Sequence, residues 1–302
     1  MSGAPSLKPD NSGLYAGITA YMIWGIFPIY FKITQEIPAM EILTHRIFWS
    51  VPFGLLILIF RCQIKDVLIA LKKFKTILLL AIAAIAMASN WGVYIWAVQQ
   101  DQIFQGSLGY YMNPLMYVLV GVVFFGEKLT RNQALAVVLA AIGVLVLTFY
   151  GGEFPAIALF LGVSFTIYGV VRKQVDIGAM PGLFIETLIL LVPGLAYMIY
   201  LQNSGQFAFF ETSTNMQAWL VFAGPLTVAP LLAFAYAARR LTLTMLGFLQ
   251  YIGPTMQFMC ALYYGEKFTA AHAFCFGCIW IAVALFSWDR LKNREKPIAA
   301  EI

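Results

Sequence analysis

Ionisable side chains inside long apolar segments are the residues of this sequence best able to do chemistry. Glu186 stands within the segment 181–201, which is long and apolar enough to cross a membrane. Because charged groups are costly in a membrane, such a residue is by default a candidate functional site. It could accept a proton or pair with a cationic group of a bound molecule. The alternative is a structural ion pair with Arg239 or Arg240, and the sequence favours neither.

A second ionisable group opens another apolar segment. His45 and Arg46 are adjacent, and Glu41 precedes His45 by four residues, which places Glu41 and His45 on one face of a helix. The three side chains could bind an anionic group or gate one side of the protein. The alternative is a charge cluster at the membrane surface, with the Arg46 side chain extended toward water.

Polar side chains also flank two prolines, Pro114 and Pro254, inside apolar segments. A proline has no N–H, so the carbonyl groups of Tyr110 and Gln250 lose their helical partners. Such carbonyls are tolerated in a membrane only where they face protein or water. Both helices are therefore expected to bend beside a cavity, and a simple packing kink is the alternative. The polar residues expected at this cavity are Asn90, Tyr94, Tyr110, Tyr111, Asn113, Gln250, Tyr251 and Gln257.

The elements that must position these residues follow from the composition. Hydrophobic residues make up 61% of the 302 residues and charged residues 11%, with a mean hydropathy of +0.81. Soluble domains carry about 25% charged residues. A helix crosses a bilayer with roughly 17–25 apolar residues. The sequence therefore predicts an all-α polytopic membrane protein with ten spans, near 14–31, 42–60, 77–98, 106–125, 134–150, 155–171, 181–201, 218–237, 243–264 and 270–288.

Basic residues predict the orientation of these spans. Of the 19 lysines and arginines, all but Lys32, Arg46 and Lys267 fall on the side of the membrane that holds both termini. Cytoplasmic loops are rich in lysine and arginine, so both termini are predicted to be cytoplasmic. The basic residues are spread over short loops and form no patch of the kind that binds nucleic acid.

One segment recurs in the second half of the chain. The residues YMNPLMYVLVGVVFFGEKLT at 111–130 match YIGPTMQFMCALYYGEKFT at 251–269, with one residue deleted. Such a repeat divides the chain into halves at 1–150 and 151–302. Five helices in each half is an odd number, so the second half is predicted to be inverted in the membrane. Inverted repeats are typical of secondary transporters, whose substrate site lies between the halves.

Other sites of chemistry are weakly indicated. His272, Cys275 and Cys278 have metal-like spacing, but two cysteines three residues apart within a helix are better explained as small packing residues. No phosphate-binding loop, catalytic triad or EF-hand is present, so no cofactor and no enzymatic activity are predicted. The leading hypothesis is a secondary transporter, and the alternatives are a membrane-embedded enzyme and a receptor or scaffold without transport activity.

The sequence also resembles a known family over about residues 14–288. The resemblance is carried by EILTHRIFWS, NWGVYIWAV, SLGYYMNPL with GEKLT, ETLILLVP, and AARRLTLTMLGFLQYIGPTMQF. These segments resemble the EamA-type transporters of the drug/metabolite transporter superfamily, and within them the RarD branch. The resemblance implies ten helices in two inverted halves around a central cavity. It implies an exporter of small metabolites or drug-like molecules in a bacterial inner membrane. A coupling proton, and a monomer or homodimer surrounded by lipid, are also expected.

Overall fold

The structure, a computed structural model, describes residues 11–125, 129–238, 240–241 and 243–293, and these residues form helices and linkers without a strand. The helices of the first half are α1 (Asn11–Gly25), α2 (Phe27–Ile33), α3 (Ala39–Phe60), α4 (Ile64–Ala70), α5 (Phe74–Gln99), α6 (Ile103–Phe125) and α7 (Arg131–Phe149). Those of the second half are α8 (Ala156–Lys173), α9 (Ala179–Asn203), α10 (Ala208–Glu211), α11 (Thr214–Ala238), α12 (Leu243–Leu249), α13 (Ile252–Tyr263) and α14 (Ala270–Asn293).

Long apolar helices confirm the predicted class of protein. Within the described residues, eight helices are long and apolar enough to cross a membrane: α1 with α2, α3, α5, α7, α8, α9, α11 and α14. The fourth predicted span corresponds to the 23-residue α6, and the ninth to the shorter α12 and α13. The protein is therefore an all-helical, multi-pass membrane protein, and the count of ten spans stays a prediction.

The two proline-containing spans of the repeat differ from each other. The ninth span is interrupted at Gln250 and Tyr251, just before Pro254, whereas α6 runs without interruption through Pro114. Only the ninth span is interrupted beside its proline, and the bend expected in α6 at Pro114 stays a prediction. Before its proline, α6 packs closely on α8, because a Cβ at Gly109 would lie only 2.8 Å from the carbonyl oxygen of Ala158.

Two short helices, α4 and α10, were not predicted from the sequence, because neither is long enough to form a membrane-spanning apolar segment. The first, α4, follows α3 and packs its Val67 and Ala70 into a small core with Leu80 and Ile185. This core joins α4 to the first turns of α9. The second, α10, is a single turn between α9 and α11.

The largest helix contacts are preserved when the two halves of the chain are exchanged. If each predicted span is replaced by the span five positions away, the contact of α1 with α11 becomes the contact of α8 with α5. In the same way, α3 with α11 becomes α9 with α5, and α6 with α8 becomes α13 with α1. The pairs α3 with α9, α6 with α13 and α7 with α14 map onto themselves. All of these pairs are among the main contacts of the structure.

Contacts between linkers define one end of the helix bundle, which we call the predicted external end. Lys32 contacts Asp101, Glu266 contacts the start of α6, and Glu41 contacts α10. The linkers at this end are 34–38, 100–102, 150–155, 204–213 and 264–269. The opposite, predicted cytoplasmic end contains α4, the linker 174–178 and the starts of α1 and α9.

Candidate functional site

A small central cavity lies between α3, α5, α9 and α11. Its volume is about 30 Å³, which is room for about one water molecule. The polar groups on its wall come from Ser50, Glu186, Thr187 and Thr227, and apolar side chains such as Met87 cover most of the remainder. A mostly apolar wall with a few polar groups is typical of sites for small molecules.

The crossing of α3 and α9 sets the position of this cavity. A Cβ at Gly194 would lie 3.3 Å from Thr44, and one at Gly54 would lie 3.1 Å from Phe184. These two contacts show that the helices run antiparallel, with residue 49 opposite residue 189. Arg46 and Glu186 each precede that midpoint by three residues. They therefore lie on opposite sides of the crossing, about 9 Å apart along the helix direction at 1.5 Å per residue.

Glu186 is held by an arginine that sequence reasoning missed. Its Oε1 lies 3.3 Å from Nε of Arg172, and the hydroxyl of Tyr168 donates a hydrogen bond to Oε2 at 3.5 Å. Only 3% of the Glu186 side chain is exposed. The guanidinium of Arg172 lies directly on Gly182, where a Cβ would approach Nη1 to 2.2 Å. The absence of a side chain at Gly182 therefore leaves room for the guanidinium in its observed position.

The alternative of a structural ion pair at Glu186 named Arg239 or Arg240, and in the described structure the partner is Arg172. Arg240 lies over the ring of Tyr236 at 3.5 Å, and Arg239 lies outside the described residues. Arg172 ends α8, which is joined to α9 by a short linker. Because Arg172 lies in the last turn of the preceding helix, its side chain is close enough to pair with Glu186.

Arg46 is buried on the other side of the crossing and does not extend to the membrane surface. It is 3% exposed, and its Nε donates a hydrogen bond to the hydroxyl oxygen of Thr227 at 3.1 Å. The guanidinium lies 4.5 Å from the ring of Trp91, and the rings of Phe27 and Phe31 are 5.3 and 5.5 Å away. Among the described residues, no carboxylate lies within 4 Å of it.

The structure brings Asn90, Tyr94 and Tyr110 together next to Arg46. The amide nitrogen of Asn90 donates to the carbonyl oxygen of Leu161 at 2.9 Å, and the hydroxyl of Tyr110 donates to the amide oxygen of Asn90 at 3.1 Å. Tyr94 packs its ring 5.4 Å from that of Tyr110, and its buried hydroxyl has no hydrogen-bond partner in the described structure. These residues join α5, α6 and α8 beside the cavity.

The other residues near the prolines lie away from the central cavity. Tyr111 donates to or accepts from Thr255 at 2.6 Å and stacks on Tyr251 at 6.3 Å, on the wall of a separate groove of about 540 Å³. Gln257 donates to the carbonyl oxygen of Trp24 at 3.2 Å. The remaining two are Asn113, whose buried oxygen is unpaired in the described structure, and the partly exposed Gln250. The expected lining is corrected because α6 and α13 pack on each other, outside the four helices of the cavity.

The group formed by Glu41, His45 and Arg46 is also divided. Glu41 is fully buried and accepts hydrogen bonds from the backbone N–H groups of Ala208 at 3.4 Å and Phe209 at 3.2 Å. The ring of His45 stacks against Phe209 at 5.1 Å, and its Nε2 lies 3.8 Å from Glu41. Glu41 and His45 therefore bind the linker 204–213, whereas Arg46 is the member of the group that contacts the residues around the central cavity.

A second carboxylate at the predicted external end was missed as a site residue. Glu266, in the second GEK turn, accepts hydrogen bonds from the backbone N–H groups of Ile103 at 2.5 Å and Phe104 at 2.9 Å, at the start of α6. Burial raises the pKa of Glu266 above its ordinary value, and the two hydrogen bonds oppose that rise. The feature of the sequence that could have indicated Glu266 is the Gly-Glu-Lys turn, which occurs twice in the chain. The first copy, 126–128, lies outside the described residues.

The cysteine pair of the last helix is a packing feature. A Cβ at Gly143 of α7 would lie 3.0 Å from Cβ of Cys278 and 3.2 Å from the carbonyl oxygen of Cys275. His272 lies beside Thr269 and Glu153 instead. No group of three potential metal ligands occurs in the parts of the chain that the structure describes.

Within the described residues, eight long apolar helices, four of which enclose a cavity lined by a buried carboxylate, are the architecture of a polytopic membrane protein of the transporter class. Residues 11–149 match the EamA-like transporter family. Protein RarD of Salmonella typhi is 42% identical, over 96% of this chain and 99% of its own length. An uncharacterized transporter of Bacillus subtilis is 40% identical, over 93% of this chain and 95% of its own. A solved crystal structure, 17% identical, covers 95% of this chain and 99% of its own with a TM-score of 0.57, which supports the fold. The chain belongs to the EamA-like transporter family, in its RarD branch.

Proposed function

We propose that this protein is a secondary transporter that exports small metabolites or drug-like molecules by alternating access. The observation that carries the proposal is the exchange symmetry of the helix packing around a cavity enclosed by both halves. Two equivalent halves of opposite orientation can open a shared site to one side and then to the other. The transporter names of the relatives support the same class.

The contacts at the two ends support a particular state. At the predicted external end, Glu41, Glu266 and the pair of Lys32 with Asp101 join linkers from different parts of the chain. The cavity holds space for about one water molecule. We infer a conformation closed toward the outside, in a bacterial inner membrane, with both termini cytoplasmic. Glu186 is the proposed site for a coupling proton or a cationic group of the substrate.

Flux through reconstituted vesicles tests the function. Purified protein in proteoliposomes of both orientations, supplied with a panel of radiolabelled metabolites and antibiotics and with an imposed proton gradient, is expected to move at least one compound faster than protein-free vesicles. Saturation with concentration distinguishes carrier transport from leakage. Binding of panel compounds without any flux would contradict the proposal and favour a receptor or scaffold.

The proposed orientation makes its own prediction. Ser204 is exposed in the linker 204–213, so Ser204→Cys in a background without the four native cysteines is expected to react with a membrane-impermeant maleimide in intact cells. A cysteine placed at Asp66 of α4 is the matched control and should react only after the membrane is opened. Reaction of position 204 from the cytoplasmic side alone would contradict the inverted repeat.

A further inference from the structure

Glu186 lines the cavity, and the buried Arg46 lies next to it, in contact with the lining residues Thr227 and Trp91. The two charges occupy equivalent positions in the two halves. Helices α3 and α9 both begin with Ala-Met, at Ala39 and Ala179. Arg46 and Glu186 each follow that alanine by seven residues. The same offset of 140 residues relates Tyr111 to Tyr251 in the repeated segment. A cation in one half therefore stands where the other half has a carboxylate.

Among the described residues, only Glu186 of these two charges has a counter-ion within 4 Å. Glu186 is paired with Arg172 near the end of α8. The described helix α2 of the first half ends with the cation Lys32 in its last turn, and Lys32 contacts Asp101 at the predicted external end. In the described part of the first half, no carboxylate neutralises Arg46 in the way that Arg172 neutralises Glu186.

The residues around Arg46 accept only part of the hydrogen bonds that its guanidinium can donate. A guanidinium has five N–H donors, and in the described structure only Nε donates a hydrogen bond, to Thr227. The rings of Trp91, Phe27 and Phe31 attract the charge without neutralising it. The hydroxyl of Tyr94 is near enough to Arg46 to interact electrostatically, and it too lacks a partner. A buried charge is expected to be paired, and among the described residues no group of opposite charge pairs with Arg46.

We propose that Arg46, with the hydroxyl of Tyr94 beside it, is the anion-binding point of the transport site and takes the carboxylate of a small organic acid with an apolar body. This proposal rests on the proposed transport function. A guanidinium binds a carboxylate through two parallel hydrogen bonds. One negative charge balances Arg46, whereas a phosphate, with its charge of about −1.5 to −2, would leave an excess. Met87, Trp91 and Met180 on the cavity wall provide the apolar surface for the rest of the molecule.

The volume of the cavity adds a condition to binding. At about 30 Å³ the space admits a water molecule and not an organic acid. The crossing of α3 and α9 must therefore open for the carboxylate to reach Arg46, so binding is coupled to the motion that the proposed transport requires.

Stability of the ligand-free protein gives the first test. Replacing an uncompensated buried charge by an apolar side chain of similar size removes its desolvation penalty. Arg46→Met is therefore expected to raise the melting temperature of the purified protein, by about 2–4 °C for a chain of this size. The matched control is Arg172→Met, which leaves Glu186 buried and unpaired and is expected to lower it. A loss of stability in Arg46→Met as large as that in Arg172→Met would overturn the proposal.

Binding of matched ligand pairs gives the second test. Phenylacetate, indole-3-acetate and hexanoate are each titrated against the corresponding carboxamide, with wild-type protein in nanodiscs. At least one acid is expected to bind ten times more tightly than its amide. Arg46→Met should abolish that preference, and Arg46→Lys, which keeps the charge without the planar fork, should reduce it about threefold. Equal affinity of every acid and its amide for the wild type would overturn the proposal.

The flux assay separates this inference from the proposed function. If the protein binds acids in preference to amides through Arg46 but transports no compound into vesicles, the anion site is supported and the transport function is refuted. If the protein transports only neutral compounds, and Arg46→Met does not change their rates, the transport function is supported and the anion site is refuted.

Discussion

Replacing Glu186 by glutamine is expected to abolish proton-coupled transport and to lower the free energy of unfolding. The carboxylate is 3% exposed on the cavity side of α9, and it is the partner of Arg172 at 3.3 Å. Glutamine keeps the shape and removes both the charge and the capacity to carry a proton. Leaving a buried arginine unpaired costs about 3 kcal/mol, at the lower end of the range for buried pairs because 16% of the Arg172 side chain is exposed.

Two further variants separate the roles of Glu186 in folding and in transport. The double variant Arg172→Gln with Glu186→Gln removes both charges, so most of the lost stability is expected to return while transport stays absent. Gly182→Ala places a methyl group where the guanidinium of Arg172 lies, at 2.2 Å from Nη1. It displaces the end of the Arg172 side chain and weakens the pair without altering either charge, so it should lower stability less than Glu186→Gln does and keep part of the flux. Gly247→Ala, where a Cβ would meet nothing within 4 Å, is the control substitution.

The measurement is flux per folded molecule together with thermal unfolding of each variant. The compound followed is one that the wild type moves in the vesicle panel. Recovery of flux in the double variant, in step with its stability, would show that Glu186 serves only as a structural partner of Arg172.

Removing Glu266 is expected to open the predicted external end. Its two oxygens accept hydrogen bonds from the N–H groups of Ile103 and Phe104, the first two residues of α6, and so join the linker 264–269 to the end of the linker 100–102. A hydrogen bond to a charged acceptor contributes about 1.5 kcal/mol at its lower limit, which corresponds to roughly a tenfold change in an equilibrium. Glu266→Ala should therefore raise the fraction of molecules open to the outside by about tenfold.

A cysteine on the cavity wall reports this opening. Ser50 is buried and lines the cavity, so Ser50→Cys in a cysteine-free background is expected to react slowly with an external maleimide and about ten times faster with Glu266→Ala present. Lys267→Ala changes an exposed neighbour in the same linker and should leave the rate unchanged. Equal rates in the Glu266 and Lys267 variants would show that Glu266 does not hold this end closed.

The same assay has a defined pH dependence. Burial raises the pKa of Glu266 in the closed form, and in an open form the hydrated carboxyl returns toward its ordinary value of about 4.3. The form with the higher pKa binds the proton more tightly and is favoured as pH falls through the interval between the two values. Acidification from pH 7 toward pH 5 should therefore slow the labelling of Ser50→Cys, measured relative to Glu266→Ala at each pH. A relative rate that increases on acidification would contradict this sign.

Properties that depend on neighbouring residues along the chain could be predicted from the sequence. The class of protein and the positions of the long helices follow from the length and hydropathy of each segment, which do not depend on how the helices pack. Glu186 was recognised in the same way, because a carboxylate inside a 21-residue apolar segment is conspicuous wherever the helix lies. The interruption before Pro254 could also be anticipated, since it arises from a missing backbone donor.

The partners of the buried charges were decided by tertiary structure alone. Helical spacing placed Glu41, His45 and Arg46 in one group, and the packing of α3 against α9 and α11 turned Arg46 inward while linker 204–213 took the other two. The guanidinium of Arg172 that pairs with Glu186 lies directly on the backbone of Gly182, another contact between separate helices. Each of these outcomes is set by the rotation and approach of whole helices, and such information is contained in no single segment of the sequence.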